Sequence, residues 1–179
     1  MAWLTGPGLA EPAPVFESHL DTIIESTPPQ TFMRLPPEIL LGTPANFDLN
    51  QLNVKVLTSG NPAITSINLM TCETGIFPCL VGSIVVEWNG SANAQRELAR
   101  HQTTGYPITL DMNLTGYLLD GSKQQPAYGF SSVMWEQDNT IYTISFPAAE
   151  RQNLLFMALQ MARSAPLLPE WEPSLERVR

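Results

Sequence analysis

The sequence predicts an α+β fold: a mostly antiparallel sheet with helices packed on one face, closed by a C-terminal helix. Three observations carry this. Short β-rich runs follow one another directly instead of alternating singly with helices. Gly, Pro, Asn and Asp separate them, which is turn chemistry. A long apolar run of helix formers, 147–164, then ends the folded part before Pro166.

In order along the chain, Phe16, Leu20, Ile23 and Ile24 fall at i, i+4, i+7 and i+8 with polar residues between them, one apolar stripe on a helix. That helix must stop before Pro28-Pro29, and Pro36-Pro37 keeps the next stretch extended or turning. Runs at 53–58, 63–71 and 79–88 read as strands, separated by Ser59-Gly60-Asn61-Pro62 and Gly75-Ile76-Phe77-Pro78. In the second run Ile64, Ser66, Asn68 and Met70 alternate with Thr65, Ile67, Leu69 and Thr71, so either set could face inward.

Residues 91–102 read as a surface helix with Ser91 as its cap and Ala94 and Leu98 as a modest apolar line. From 108 to 119 the alternation fits a long strand or a strand pair, with Ile108, Leu110, Met112 and Leu114 sharing one face, and Asp120-Gly121-Ser122 closes it. Runs 130–136 and 140–146, joined by Gln137-Asp138-Asn139, form the clearest hairpin. Pro147 suits a helix N-terminus, and Glu150 puts negative charge in the first turn. Leu154, Leu155, Ala158, Leu159, Met161 and Ala162 make a broad apolar face that Phe156 and Met157 widen, so this helix should be buried against the sheet.

Proline usage maps the organisation. Eight prolines lie in residues 1–44, three in 166–179 and five in the 121 residues between. We therefore divide the chain into a flexible Pro/Gly-rich lead, 1–14, a single α+β domain, 15–165, and a Pro-rich tail, 166–179, with Trp171 as its one aromatic anchor. The 179 residues suffice for one core, since a chain of 19.8 kDa removes about 70% of its surface from water on folding.

Charge excludes several partners. With 9 Lys and Arg against 17 Asp and Glu the formal net charge is -8, and no basic stripe exists to release counterions from nucleic acid or to hold an anionic membrane. No apolar stretch is long enough for a transmembrane segment. Small residues Gly8 and Ala10 stand at the spacing a signal peptidase cuts after, ahead of Glu11, although the hydrophobic and basic parts of a signal are missing; a Pro/Gly-rich cytosolic terminus is the plainer reading.

Few residues carry a chemical signature. Cys72 and Cys79 flank a segment with Gly75 and Pro78 that can bring their sulfurs together, which would form a structural disulfide and place the chain outside the reducing cytosol. The alternatives are two buried free thiols or a reactive thiol; the spacing is not C-x-x-C, and no histidine stands near to complete a metal site. His19 and His101 lie far apart without acidic or thiol partners at motif spacing, and read as solvated surface residues. No nucleotide, cofactor, zinc-protease or nucleophile-elbow motif occurs. Asp120 and Asp138 sit where turn geometry favours Asp. Trp135, Phe156, Met157 and Met161 could line an apolar pocket between hairpin and last helix, or simply fill the core. Asn89-Gly90-Ser91 and Asn113-Leu114-Thr115 match the glycosylation pattern, the second inside a predicted strand.

By elimination the expected function is non-catalytic: an acidic, extracytoplasmic binding or assembly-accessory protein that meets a protein partner through its sheet or its Pro-rich ends. The alternative is a carrier of a hydrophobic small molecule, a lipid or pigment, held by Trp135, Phe156, Met157 and Met161. A thiol-dependent enzyme using Cys72 or Cys79 is the third reading, and a cytoplasmic location is the alternative to export.

Overall fold

The computed structural model describes residues 11–42, 48–60, 63–73 and 79–167. Most of the lead and tail, including Trp171, and most of the two separators at 61–62 and 74–78 lie outside the described residues.

The chain enters through a 3-10 turn, Pro14–His19, that runs into α1, Leu20–Glu25. Phe16 and Ile23 of the expected stripe are fully buried. The segment ends before Pro28, where the Thr27 hydroxyl donates to the Ile23 carbonyl (3.0 Å). Seven strands follow among the described residues: β1 (Asn53–Gly60), β2 (Ala63–Met70), β3 (Leu80–Trp88), β4 (Tyr106–Asp111), β5 (Leu114–Leu119), β6 (Phe130–Gln137) and β7 (Thr140–Pro147). Two longer helices are α2 (Ala92–Thr104), with Ser91 Oγ accepting from the Ala94 N–H, and α3 (Arg151–Arg163). This is an α+β fold with the C-terminal helix packed on the sheet, as the sequence indicates.

All pairings are antiparallel and the spatial order is β1-β2-β3-β7-β6-β5-β4. The register lines up Val56, Ile67, Ile84, Ile144, Val133 and Leu118 in one apolar row across six strands. This row faces the core, closed by α3, by the helical segment at Phe16 and Ile23, and by an extended strap carrying Met33, Leu35 and Ile39. Thr65, Ile67 and Leu69 are the inward set in β2; Thr65 is buried because its hydroxyl donates to the Ser26 carbonyl at the end of α1. Ala13 and Leu167, assigned to the lead and tail, both dock on the strap, through Ala13 N–H to Pro36 O (3.0 Å) and Leu167 N–H to Met33 O (2.7 Å).

The β6–β7 hairpin turns on Asp138 and Asn139, both at positive φ (50° and 60°), the backbone a two-residue turn between right-twisted strands needs and Asn and Asp tolerate. Arg34 of the strap is buried, pairs with Asp138 at 2.7 Å and donates to the Ser164 carbonyl at the end of α3. The strap is thereby fastened to the hairpin tip and to α3 at once.

Two expectations are corrected. The stretch 108–119 is a strand pair that turns at Met112-Asn113, so Met112 is 92% exposed instead of sharing the inward face with Leu110 and Leu114, and Asn113 is an exposed turn residue. An apolar residue at the turn preserves the two-residue alternation and hides the reversal. The second concerns the helices. The helical segment before β1 and α3 share the core face, whereas α2 packs on the opposite face, with Ala94 and Leu98 against Met134, Ile141 and Tyr117. The central strands are buried on both sides there, so β6 reads as a continuous apolar run, Val133, Met134 and Trp135, that names no single face.

Candidate functional site

The sulfurs of Cys72 and Cys79 stand at disulfide-bonding distance, with Cα atoms 5.7 Å apart. The Thr71 N–H donates to the Cys79 carbonyl (2.8 Å), so the β2–β3 ladder continues one pair beyond the strands and holds the two cysteines across from one another. Of the four residues read as an apolar pocket, Trp135, Met157 and Met161 are fully buried in the main core. Trp135 stacks on Tyr142, ring centroids 5.1 Å apart. Phe156 is 47% exposed on the outward side of α3, so the four do not converge. His19 stands half-buried at the end of the 3-10 turn, where no hydrogen bond to its ring is seen among the described residues.

The two sheet edges differ. The β4 edge is short, carries Pro107 and is kinked by a register shift between Thr109 and Asp111, features that blunt strand pairing. The β1 edge runs eight residues without proline or register shift, and no described segment pairs with its outer side. Leu57 is exposed along it, and Lys55 is its single charge.

On the face opposite the core, α2 packs over β4, β5 and β6 and reaches β7 at Ile141. Between it and the 120–129 loop a cleft of about 550 Å³ opens onto the sheet, bounded by Glu97, Arg100, Gln124, Tyr128 and Phe130. Its floor is a transverse row: Ser83 on β3 pairs with Ser145 on β7, which pairs with Ser132 on β6, and the same row continues outward to Asn68 and Lys55. Register alone puts three hydroxyls side by side, about 5 Å apart.

His101 closes this row. Its Nδ1 lies 2.9 Å from the Glu97 carbonyl, which can only accept, so Nδ1 carries the proton and the Nε2 lone pair accepts from the Ser132 hydroxyl at 2.8 Å. Burial pushes the imidazole below its usual pKa, so the neutral form is the one held at neutral pH. The sequence gives no sign of this pair, because residues 101 and 132 meet only when α2 lies over β6. Ser132 sits mid-strand between Leu119 and Ser145, where the backbone N–H groups serve the ladders, an arrangement for fixing a hydroxyl more than for stabilising an oxyanion.

Glu87 is buried, and its Oε1 has no hydrogen-bond partner among the described residues. Desolvation, with the nearby Glu97 charge, raises its pKa. The folded state thus holds this proton more tightly than the unfolded state. Its stabilising contribution is complete below the unfolded value near 4.5 and is lost as pH rises through the folded value. Accordingly, Glu87→Gln is expected to be more stable than the wild type at pH 7, with the advantage gone at pH 4, as measured by urea denaturation at both pH values. An advantage independent of pH would discard this account.

The 120–129 loop is braced from within. Asp120 accepts from the Ser122 hydroxyl (2.7 Å) and N–H (3.1 Å) and pairs with Arg151 at 3.1 Å, which together hold its carboxyl below the usual range. Compared with protein-family models, with curated proteins and with solved structures, the chain matches none.

Proposed function

We propose that this is a non-catalytic, extracytoplasmic binding protein that takes an extended segment of a protein partner onto the outer edge of β1. The observation that carries the reading is the contrast between the guarded β4 edge and the long, regular, proline-free β1 edge. An unpaired strand presents backbone N–H and C=O groups at regular spacing, and a partner strand satisfies them while its alternate side chains reach Leu57 and its neighbours on either face. The expected result of selecting peptides against the protein is a set whose binding slows hydrogen exchange of β1 amides and is abolished by N-methylation at alternate residues. Selected peptides that protect another surface, or that tolerate N-methylation, would overturn the reading.

The extracytoplasmic part rests on the cysteine pair. Protein taken from its natural host, denatured and alkylated without reduction, should gain no alkyl groups; a gain of two would move the chain to a reducing compartment. Closing an eight-residue loop stabilises a fold by about 2.5 kcal/mol on chain entropy. Cys72→Ser with Cys79→Ser should therefore lower the urea midpoint by a corresponding amount while leaving peptide binding at β1 intact. Loss of function with full stability would instead favour the thiol enzyme. The carrier reading has no support from the apolar group that suggested it, since three of its four residues fill the core.

A further inference from the structure

We propose that the cleft between α2 and the 120–129 loop binds an uncharged saccharide, seated against Tyr128 and hydrogen-bonded to the serine row of its floor. This site is independent of the β1 edge and rests on different residues.

The chemistry of the lining narrows the ligand. Glu97 and Arg100 on the wall pair with each other at 3.3 Å, so neither sign of charge is left over to hold an ion. Ser83 and Ser145 have no hydrogen-bond partner for their hydroxyls among the described residues, while Ser132, which also lines the cleft, is committed to His101 as a donor and keeps its capacity to accept. A hydroxyl both donates and accepts, so a row of them is matched by a ligand whose own groups do both, which is the property of sugar hydroxyls. Leu80 and Leu119, the latter paired with Ser132, add apolar surface beside the hydroxyls, which suits the C–H side of a sugar ring.

Tyr128 supplies the other half of sugar recognition. It is 63% exposed at the rim, beside Phe130 with ring centroids 6.4 Å apart, and offers an aromatic face to the C–H side of a pyranose. Its backbone is fixed before any ligand arrives: the Tyr128 N–H donates to the Gly121 carbonyl (2.8 Å), and the Gly121 N–H donates to Ser131 Oγ (3.0 Å). Little ordering is therefore left to oppose binding. The volume falls within the range of small-molecule sites. From Ser83 the same row runs on to Asn68, giving a longer chain of sugars a polar path across the sheet, one strand spacing being close to the length of one ring.

The test is an amide-resolved NMR titration of the full chain with maltotetraose, cellotetraose and N-acetylated chitotetraose, with trigalacturonate as the charged comparison. At least one uncharged sugar should shift the amides of Ser83, Ser132, Ser145 and Tyr128 with a Kd of about 1 mM or tighter. Tyr128→Ala should weaken it at least about tenfold while the remaining spectrum keeps its dispersion. Absence of cleft shifts with all three sugars, undiminished binding by Tyr128→Ala, or tighter binding of trigalacturonate overturns the proposal.

Discussion

Trp135→Ala is expected to lower the unfolding free energy by about 4 kcal/mol, near the top of the range for a single core truncation. The indole is wholly buried, stacks on Tyr142, and donates through Nε1 to the Gln137 amide oxygen at 3.2 Å. Truncation leaves a large cavity in the layer between β6, β7 and the strap, and it removes the support of Tyr142, whose hydroxyl donates to the Phe32 carbonyl and whose burial pushes its pKa up to about 12. Collapse cannot fill the space, because the strap is fixed at Arg34 and at Phe32, whose N–H donates to the Thr140 hydroxyl at 3.0 Å. Guanidinium denaturation followed by far-UV circular dichroism measures the loss. A loss under about 1 kcal/mol would mean that the surrounding space is not close-packed and would return the hydrophobic-carrier reading to first place.

Gly121→Ala is the second large effect, expected at about 3 kcal/mol, the upper end for overpacking. A Cβ at this position would stand 1.9 Å from the Phe130 carbonyl oxygen and 2.6 Å from that of Tyr128. Both obstacles are backbone, one of them at the start of β6, so no side-chain rotation relieves the clash and the loop must lift off the strand. Two hydrogen bonds go with it, Gly121 N–H to Ser131 and Tyr128 N–H to the Gly121 carbonyl. The thermal midpoint should fall, and the amides of residues 120–129 should exchange faster than those of β6 and β7. Uniform exchange across the sheet would show that the loop is not a separate unit.

Local chemistry made most of the elements legible. Ser91 as a cap, the hairpin turn within Gln137-Asp138-Asn139, which the structure narrows to its last two residues, and the stop before Pro166 each follow from what a few residues permit. Facing was harder. Residues 133–135 are apolar throughout because α2 and α3 lie on opposite sides of them, and no periodicity can report two burying surfaces. Met112 disguised a turn by continuing an alternation. The cysteine pair was readable because seven positions separate its members, whereas the serine row and its histidine were not, since Ser83 joins the row only when β3 pairs with β7, His101 only when α2 lies over β6, and none of these residues belongs to a motif. Apolar residues at helical spacing suggested a pocket where the physics gave a filled core, and Phe156 widened a stripe that in fact ends short of it.

The strap has a consequence for the order in which the molecule assembles. It leaves the ribosome long before most of what it grips, which lies more than a hundred residues further on: Asp138 and Thr140 at the hairpin, Met157 in α3, Ser164 and Leu167 beyond it. Met33, Leu35 and Ile39 must therefore wait, apolar and undocked, until the residues through Leu167 have been synthesised. Such distant closures make folding slow, and a nascent chain in that interval is the form most in need of a chaperone's protection.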